Sequence, residues 1–284
     1  MLDKLKEEQE IIETIEDPEV IESSISTSIP EVQDPIAVDN SGIEHKFTNT
    51  YSTVKVKNES KYPMTEALLT PDLEIANKKN ILIFHTHTCE SYTPTNANNY
   101  EMTGTYRTTD LNYNVSRVGK ELASRLKTTG FNVIHDTTYH DYPAYSGSYN
   151  RSLKTVENIL KDNKDYGIVI DLHRDAVGNN NNYAPTVKVG DNYAAQLLFV
   201  MGTDGGGLNH PNWRNNLKFA VKIQEKANEM YPGLFKPIIV RNSRYNQHLG
   251  KEALILEVGA TGNTLEQTIV SMELLSNVLN EVLK

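Results

Sequence analysis

Residues 81–92 read Ile81-Leu82-Ile83-Phe84-His85-Thr86-His87-Thr88-Cys89-Glu90-Ser91-Tyr92. The first four are wholly apolar, the pattern of a short central strand buried on both faces. Two imidazoles and a carboxylate then crowd the loop at the strand's end. In an open α/β sheet, that end is where ligands bind. His87 and Glu90 form an H-x-x-E pair, two of the three protein ligands in a zinc site built from two His and one Glu. Alone, the His-x-His alternation equally describes a strand end with one exposed ring and one structural ring.

Two further stretches follow the same plan. The apolar run at 167–172 leads into His173-Arg174-Asp175, and the run at 253–256 leads into Glu257-Val258-Gly259. Taken singly, His173 reads as a core histidine and Glu257 as an edge-strand charge. Taken together, three buried-type strands each deliver a His or Glu, and buried ionisable groups need partners. The set matches a mononuclear zinc hydrolase: His87, Glu90 and His173 as ligands of one zinc per chain, and Glu257 as general base. Cys89 lies between the candidate ligands and is the chain's one cysteine, so no intrachain disulfide forms. A nucleophilic or ligating role for it is the weaker reading.

The net charge of -9 belongs to one end of the chain. Residues 1–35 hold eleven acids against two lysines, and the remainder holds 26 residues of each sign. A neutral body gives no support for nucleic-acid binding. No apolar run approaches the ~20 residues that span a bilayer, and the acidic N-terminus lacks the character of a signal peptide. Residues 1–40 are broken by Pro18, Pro30 and Pro35 and read as an acidic stalk or linker. Residues 41–284 read as one catalytic domain, with 41–79 as a lead-in that packs on the core. Helical spacing of Val115, Val118, Leu122 and Leu126 predicts a helix opened by Asp110 as N-cap. Asp110 is also the rival to Glu90 as carboxylate ligand. Further helices are expected at about 150–162, 212–230 and 264–283. Strands alternating with helices predict a single α/β domain with a mixed, mostly parallel central sheet and helices on both faces.

Several stretches together resemble the stage II sporulation protein P (SpoIIP) family. They are HTHTCESY at 85–92, RTTDLNYNVSRVG at 107–119, DLHRDA at 171–176, RYNQ at 244–247, and LILEVG at 254–259 followed by Asn263-Thr264-Leu265. The resemblance covers about residues 50–284 in matching order. It implies a zinc-dependent N-acetylmuramoyl-L-alanine amidase acting on peptidoglycan in forespore engulfment, with cleavage of peptide cross-links as an associated activity. It implies as partners a SpoIID-type lytic transglycosylase and a SpoIIM-type membrane protein. It also implies an extracytoplasmic place between mother cell and forespore, with an N-terminal membrane anchor that this sequence does not contain. Under the resemblance the first ligand falls on His87 or His85, the second His on His173, and the catalytic carboxylate on Glu257. The carboxylate ligand is Glu90 by the local H-x-x-E, or Asp110 by its place before the first helix.

Around this set, Arg174 or Arg244 is expected to assist the oxyanion. Asp171 or Asp175 is expected to orient a ligand ring, and Tyr245, Asn246 and Gln247 offer surface for sugar or peptide. Two other readings share the pattern. A zinc carboxypeptidase would need an arginine that reads a free C-terminal carboxylate. A non-catalytic wall-binding module would hold glycan through its Tyr-rich loops without metal.

Overall fold

The computed structural model describes residues 34–178 and 180–284. In chain order the elements are β1 (Asn49–Tyr51), β2 (Val54–Asn58), α1 (Glu66–Leu69), β3 (Asn80–Phe84), α2 (Val115–Thr128), β4 (Asn132–His135), α3 (Ser148–Asp162), β5 (Ile168–Asp175), β6 (Thr186–Val189), β7 (Asn192–Ala195), β8 (Leu197–Gly202), α4 (Trp213–Met230), β9 (Ile238–Arg241), β10 (Glu252–Ala260) and α5 (Leu265–Val282). Eight strands make one sheet in the order β1-β2-β9-β8-β10-β5-β3-β4, and β6 and β7 make a separate hairpin. The large sheet is antiparallel only at β1/β2 and β8/β10. The expected mixed, mostly parallel sheet is therefore present.

Period-2 alternation sorts the strand residues onto two faces. Ile81, Ile83, Ile170, Leu172, Leu254 and Leu256 face one core, shared with apolar residues of α2, α4 and α5. Leu82, Phe84, Val169 and Ala253 face the other, where Val156, Ile159 and Leu160 of α3 cover them. With Leu69 of α1 in the first core, the helices thus divide four to one, and the α3 face is the one that carries the site.

Local sequence explains the helix starts. Thr264 and Gln267 form a reciprocal capping box at α5. The cap of α2 is Asn114, whose side chain accepts from the Ser116 amide at 2.9 Å. This corrects the expected Asp110 N-cap. Asp110 instead closes a local turn, accepting from the amide and the side chain of Asn112.

The lead-in does more than pack on the core. Its strand β2 pairs in parallel with β9, so residues 49–58 extend the sheet. Of the expected stalk, residues 1–33 lie outside the described residues. Asn40, near its end, bonds the backbone of β6 through its amide at 2.8 Å.

Candidate active site

Strands β3, β5 and β10 are neighbours in the sheet and run parallel. Their C-terminal ends therefore open on one place. Glu257 stands beside His173 in the β10/β5 register. Alternation puts Val169, Asp171 and His173 on the α3 face, together with Ala253, Ile255 and Glu257. The chain leaving β3 makes a single turn, closed by the Glu90 amide donating to the His87 carbonyl at 3.1 Å. That turn brings His87 and Glu90 to the same end.

His87, Glu90 and His173 are all buried. Nδ1 of His173 lies 3.6 Å from Oε2 of Glu90. Two ligands bound at 2.0–2.1 Å to one tetrahedral zinc stand about 3.4 Å apart, so this pair has the required spacing. The His87 ring meets the His173 ring edge to face, with centroids 5.2 Å apart. Among the described residues, no three His, Cys, Asp or Glu side chains form a ready-made metal cluster. The donor types fit zinc, with two of the three already spaced for it.

Asp171 organises this centre from below. Its carboxylate accepts from the amide and hydroxyl of Thr86 at 2.8 and 2.6 Å, and it lies 2.8 Å from Nε2 of His173. Burial opposes charge on all three groups, but mutual attraction outweighs it. The adjoining carboxylates of Asp171 and Glu90 hold the His173 pKa well above its ordinary 6.5. Against the same burial penalty, the His173 hydrogen bond and the Arg174 charge bring Glu90 down to about 2.

The structure gives the other candidates different work. His85 uses Nδ1 on the Leu172 carbonyl at 2.8 Å and Nε2 on His135 at 2.9 Å. Burial, then His135, pushes its pKa down to about 3. With both nitrogens committed to the core, it has none for a metal. Asp110 is exposed and holds its own turn. Arg174 points to the face opposite His173 and donates to the carbonyls of Ser91, Tyr106 and Asp175. Its amide also donates to Glu90 at 3.3 Å. It is a brace for the 91–106 loop, not a donor aimed at substrate.

Arg244 donates to the Asn209 carbonyl. Asp175 pairs with Lys236 at 2.7 Å, which leaves Asp171 as the carboxylate on the ligand ring. Asn246 and Gln247 are buried and structural. Asn246 bonds the Tyr149 carbonyl and the Ser152 hydroxyl, and Gln247 bonds Val200 and Gly202. Tyr245 packs on Tyr149 at 5.8 Å, and Tyr149 in turn meets His87 edge-on at 5.7 Å. Tyr245 sits at φ 53, a left-handed conformation that non-glycine residues rarely adopt. Cys89 is buried, and burial followed by the Asp141 charge pushes its thiol up to about 12. A thiol so disfavoured as thiolate is no nucleophile.

Sequence reading missed Arg107 and Tyr145. Arg107 is ion-paired with Asp141, and its Cζ lies 5.1 Å from the Tyr145 ring centroid. Tyr145 stacks on His87. The Tyr-rich loop signalled aromatic surface, but nothing local said which tyrosine reaches His87.

Fold and site together define an α/β protein with a carboxylate–imidazole centre at the C-terminal ends of adjoining parallel strands. The sequence matches the family model for stage II sporulation protein P (SpoIIP) over residues 3–280, and the chain belongs to that family. It is 29% identical over 223 residues to stage II sporulation protein P of Bacillus subtilis (strain 168), covering 75% of this chain and 53% of that protein. The chain thus spans about half the length of this curated relative. Two solved structures are similar in outline. One is an N-acetylmuramoyl-L-alanine amidase from Clostridium difficile 630, at TM-score 0.45 and 18% identity over 73% of this chain and 95% of that one. The other is the CwlD amidase from Clostridioides difficile in complex with the GerS lipoprotein, at TM-score 0.43 and 14% identity over 71% and 94%. Among the described residues no helix is long and apolar enough to cross a membrane.

Proposed function

We propose that this chain is a zinc-dependent peptidoglycan hydrolase that cleaves the amide between N-acetylmuramic acid and L-alanine during forespore engulfment. The observation that carries this reading is the adjacency of β3, β5 and β10, with Glu257 beside His173 and Glu90 Oε2 at 3.6 Å from His173 Nδ1. His87, Glu90 and His173 would hold the ion. When bound, zinc supplies a Lewis acid for the amide carbonyl and lowers the pKa of water to about 7.

The protein's own residues do the rest. Glu257 is partly buried at the strand end, and its Oε2 is enclosed beside the strand that carries His173. It takes a proton from the attacking water and returns it to the L-alanine nitrogen as the C–N bond breaks. Asp171 fixes the His173 ring, and the Arg174 amide with its brace of the 91–106 loop fixes Glu90. The SpoIID-type and SpoIIM-type partners, the membrane anchor and the cell-wall location belong to this same reading.

Mass spectrometry of digested peptidoglycan tests it, comparing wild type with Glu257→Gln. Stem peptides bearing a free L-alanine amine are expected from wild type. The variant should keep its zinc and release at least about 100-fold less. Equal product from both chains would remove Glu257 from the mechanism, and release of C-terminal residues from free peptides would favour a carboxypeptidase.

A further inference from the structure

Tyr145 lies flat on His87. The ring centroids are 4.5 Å apart, the planes are within 9°, and the Tyr145 hydroxyl is 3.1 Å from Nε2 of His87. A ring stacked face to face meets that nitrogen from above. The in-plane lone pair of the imidazole points elsewhere. The hydroxyl therefore stands over Nε2, beside a candidate ligand ring and out of the plane of its lone pair.

The hydroxyl is also held still. Arg107 also lies over the ring, with Cζ 5.1 Å from its centroid, and Asp141 anchors Arg107. The loop that carries Tyr145 is pinned from inside. Arg151 donates to the carbonyls of His140, Ala144 and Ser146, and the Ser148 hydroxyl donates to the carbonyl of Tyr145 itself. Asp141 further accepts from the Cys89 amide within the His87–Glu90 turn. A donor fixed in place before reaction costs no reorganisation when charge develops.

We propose that Tyr145 is a catalytic residue whose hydroxyl donates a hydrogen bond to the carbonyl oxygen of the amide under attack, and that Arg107 is the positioning residue that holds its ring. This rests on the amidase reading above. As water adds to the carbonyl carbon, the C=O π pair moves onto the oxygen, and the phenol stabilises that oxyanion while keeping its own proton. When the pair returns, the C–N bond breaks and the nitrogen takes the proton held by Glu257. The assignment fills the role that Arg174, committed to the carbonyls of Ser91, Tyr106 and Asp175, does not fill.

The test is calorimetric binding of a phosphonamidate analogue of N-acetylmuramoyl-L-alanine to zinc-loaded wild type and Tyr145→Phe. The tetrahedral anion copies the charge that forms in the reaction. The variant is expected to bind it about 100-fold more weakly, with unchanged zinc content and melting temperature. The ordinary amide, bound in a Glu257→Gln background, should bind equally with and without the hydroxyl. Equal phosphonamidate affinity in a wild type that binds it tightly would overturn the proposal alone. A fall in zinc content would also overturn it, making the hydroxyl a support for His87. A wild type that takes up zinc but binds no phosphonamidate would overturn the amidase reading, and the proposal with it.

Discussion

Asp171 accepts from both Thr86 donors and lies against His173, so one buried carboxylate joins two strand ends and orients an imidazole. Asp171→Asn keeps its shape but loses that charge. It should cost about 10–100-fold in zinc affinity, measured by competition with a chelator; unchanged affinity would show that the ring is held by packing alone. The sequence held more information at this scale than motif matching used. Side chains in a strand alternate, so Arg174 has to point away from the face that takes Asp171 and His173. His85 was ambiguous for a different reason. Its partners, the Leu172 carbonyl and His135, come from β5 and β4, and no local pattern announces them. Arg107 and Tyr145 were hidden in the same way, because their meeting depends on the packing of two loops.

Among the elements, α2 presses closest on the sheet at Gly119. A Cβ there would stand 2.7 Å from ring atoms of both His85 and His135. Gly119→Ala gains up to about 1 kcal/mol of helix propensity. It also overpacks a buried, hydrogen-bonded pair, at a cost of about 1–3 kcal/mol. A net loss of roughly 1 kcal/mol or more is expected in urea unfolding; a stabilised variant would mean that the two rings shift freely. At the end of β10, Gly259 has φ 64 beside the register shift that follows Glu257. A Cβ there would stand 2.7 Å from the Asn263 side chain. The strand thus turns away directly after delivering its carboxylate, and a glycine permits it. Three helices of more than ten residues fell close to their expected ranges because their apolar spacing is strong. The start of α2 was misread because Asp110 and Asn114 are both good caps, and tertiary contacts chose between them. Thr108 accounts for part of that choice, since its carbonyl takes the Asn114 side chain at 3.0 Å.

For the whole molecule, what the sequence left out was strand order. It named three strands with chemical ends but could not say that β3, β5 and β10 adjoin, since their pairing spans segments far apart in the chain. Nor did it show that β2 would join the sheet edge. Buried histidines set the acid limit of the fold as a whole. His210 is buried, and neither ring nitrogen finds a hydrogen-bond partner among the described residues. Burial, then Arg244, lowers its pKa to about 4, against a smaller opposing effect from Asp204. Above pH 6.5 it is neutral whether the chain is folded or unfolded. Below that, the unfolded chain takes the proton first, so stability falls as pH drops towards 4. Roughly 2 kcal/mol is lost by pH 5. Denaturant unfolding at pH 7 and pH 5 should show that drop shrinking in His210→Gln; identical drops would place the acid sensitivity elsewhere. The zinc site itself is tested by the zinc content of the purified chain beside His87→Ala, Glu90→Ala, His173→Ala and Asp110→Ala. One zinc per chain is expected in wild type and in Asp110→Ala, and loss of zinc in the other three. Zinc retained without Glu90 and lost without Asp110 would contradict this ligand set.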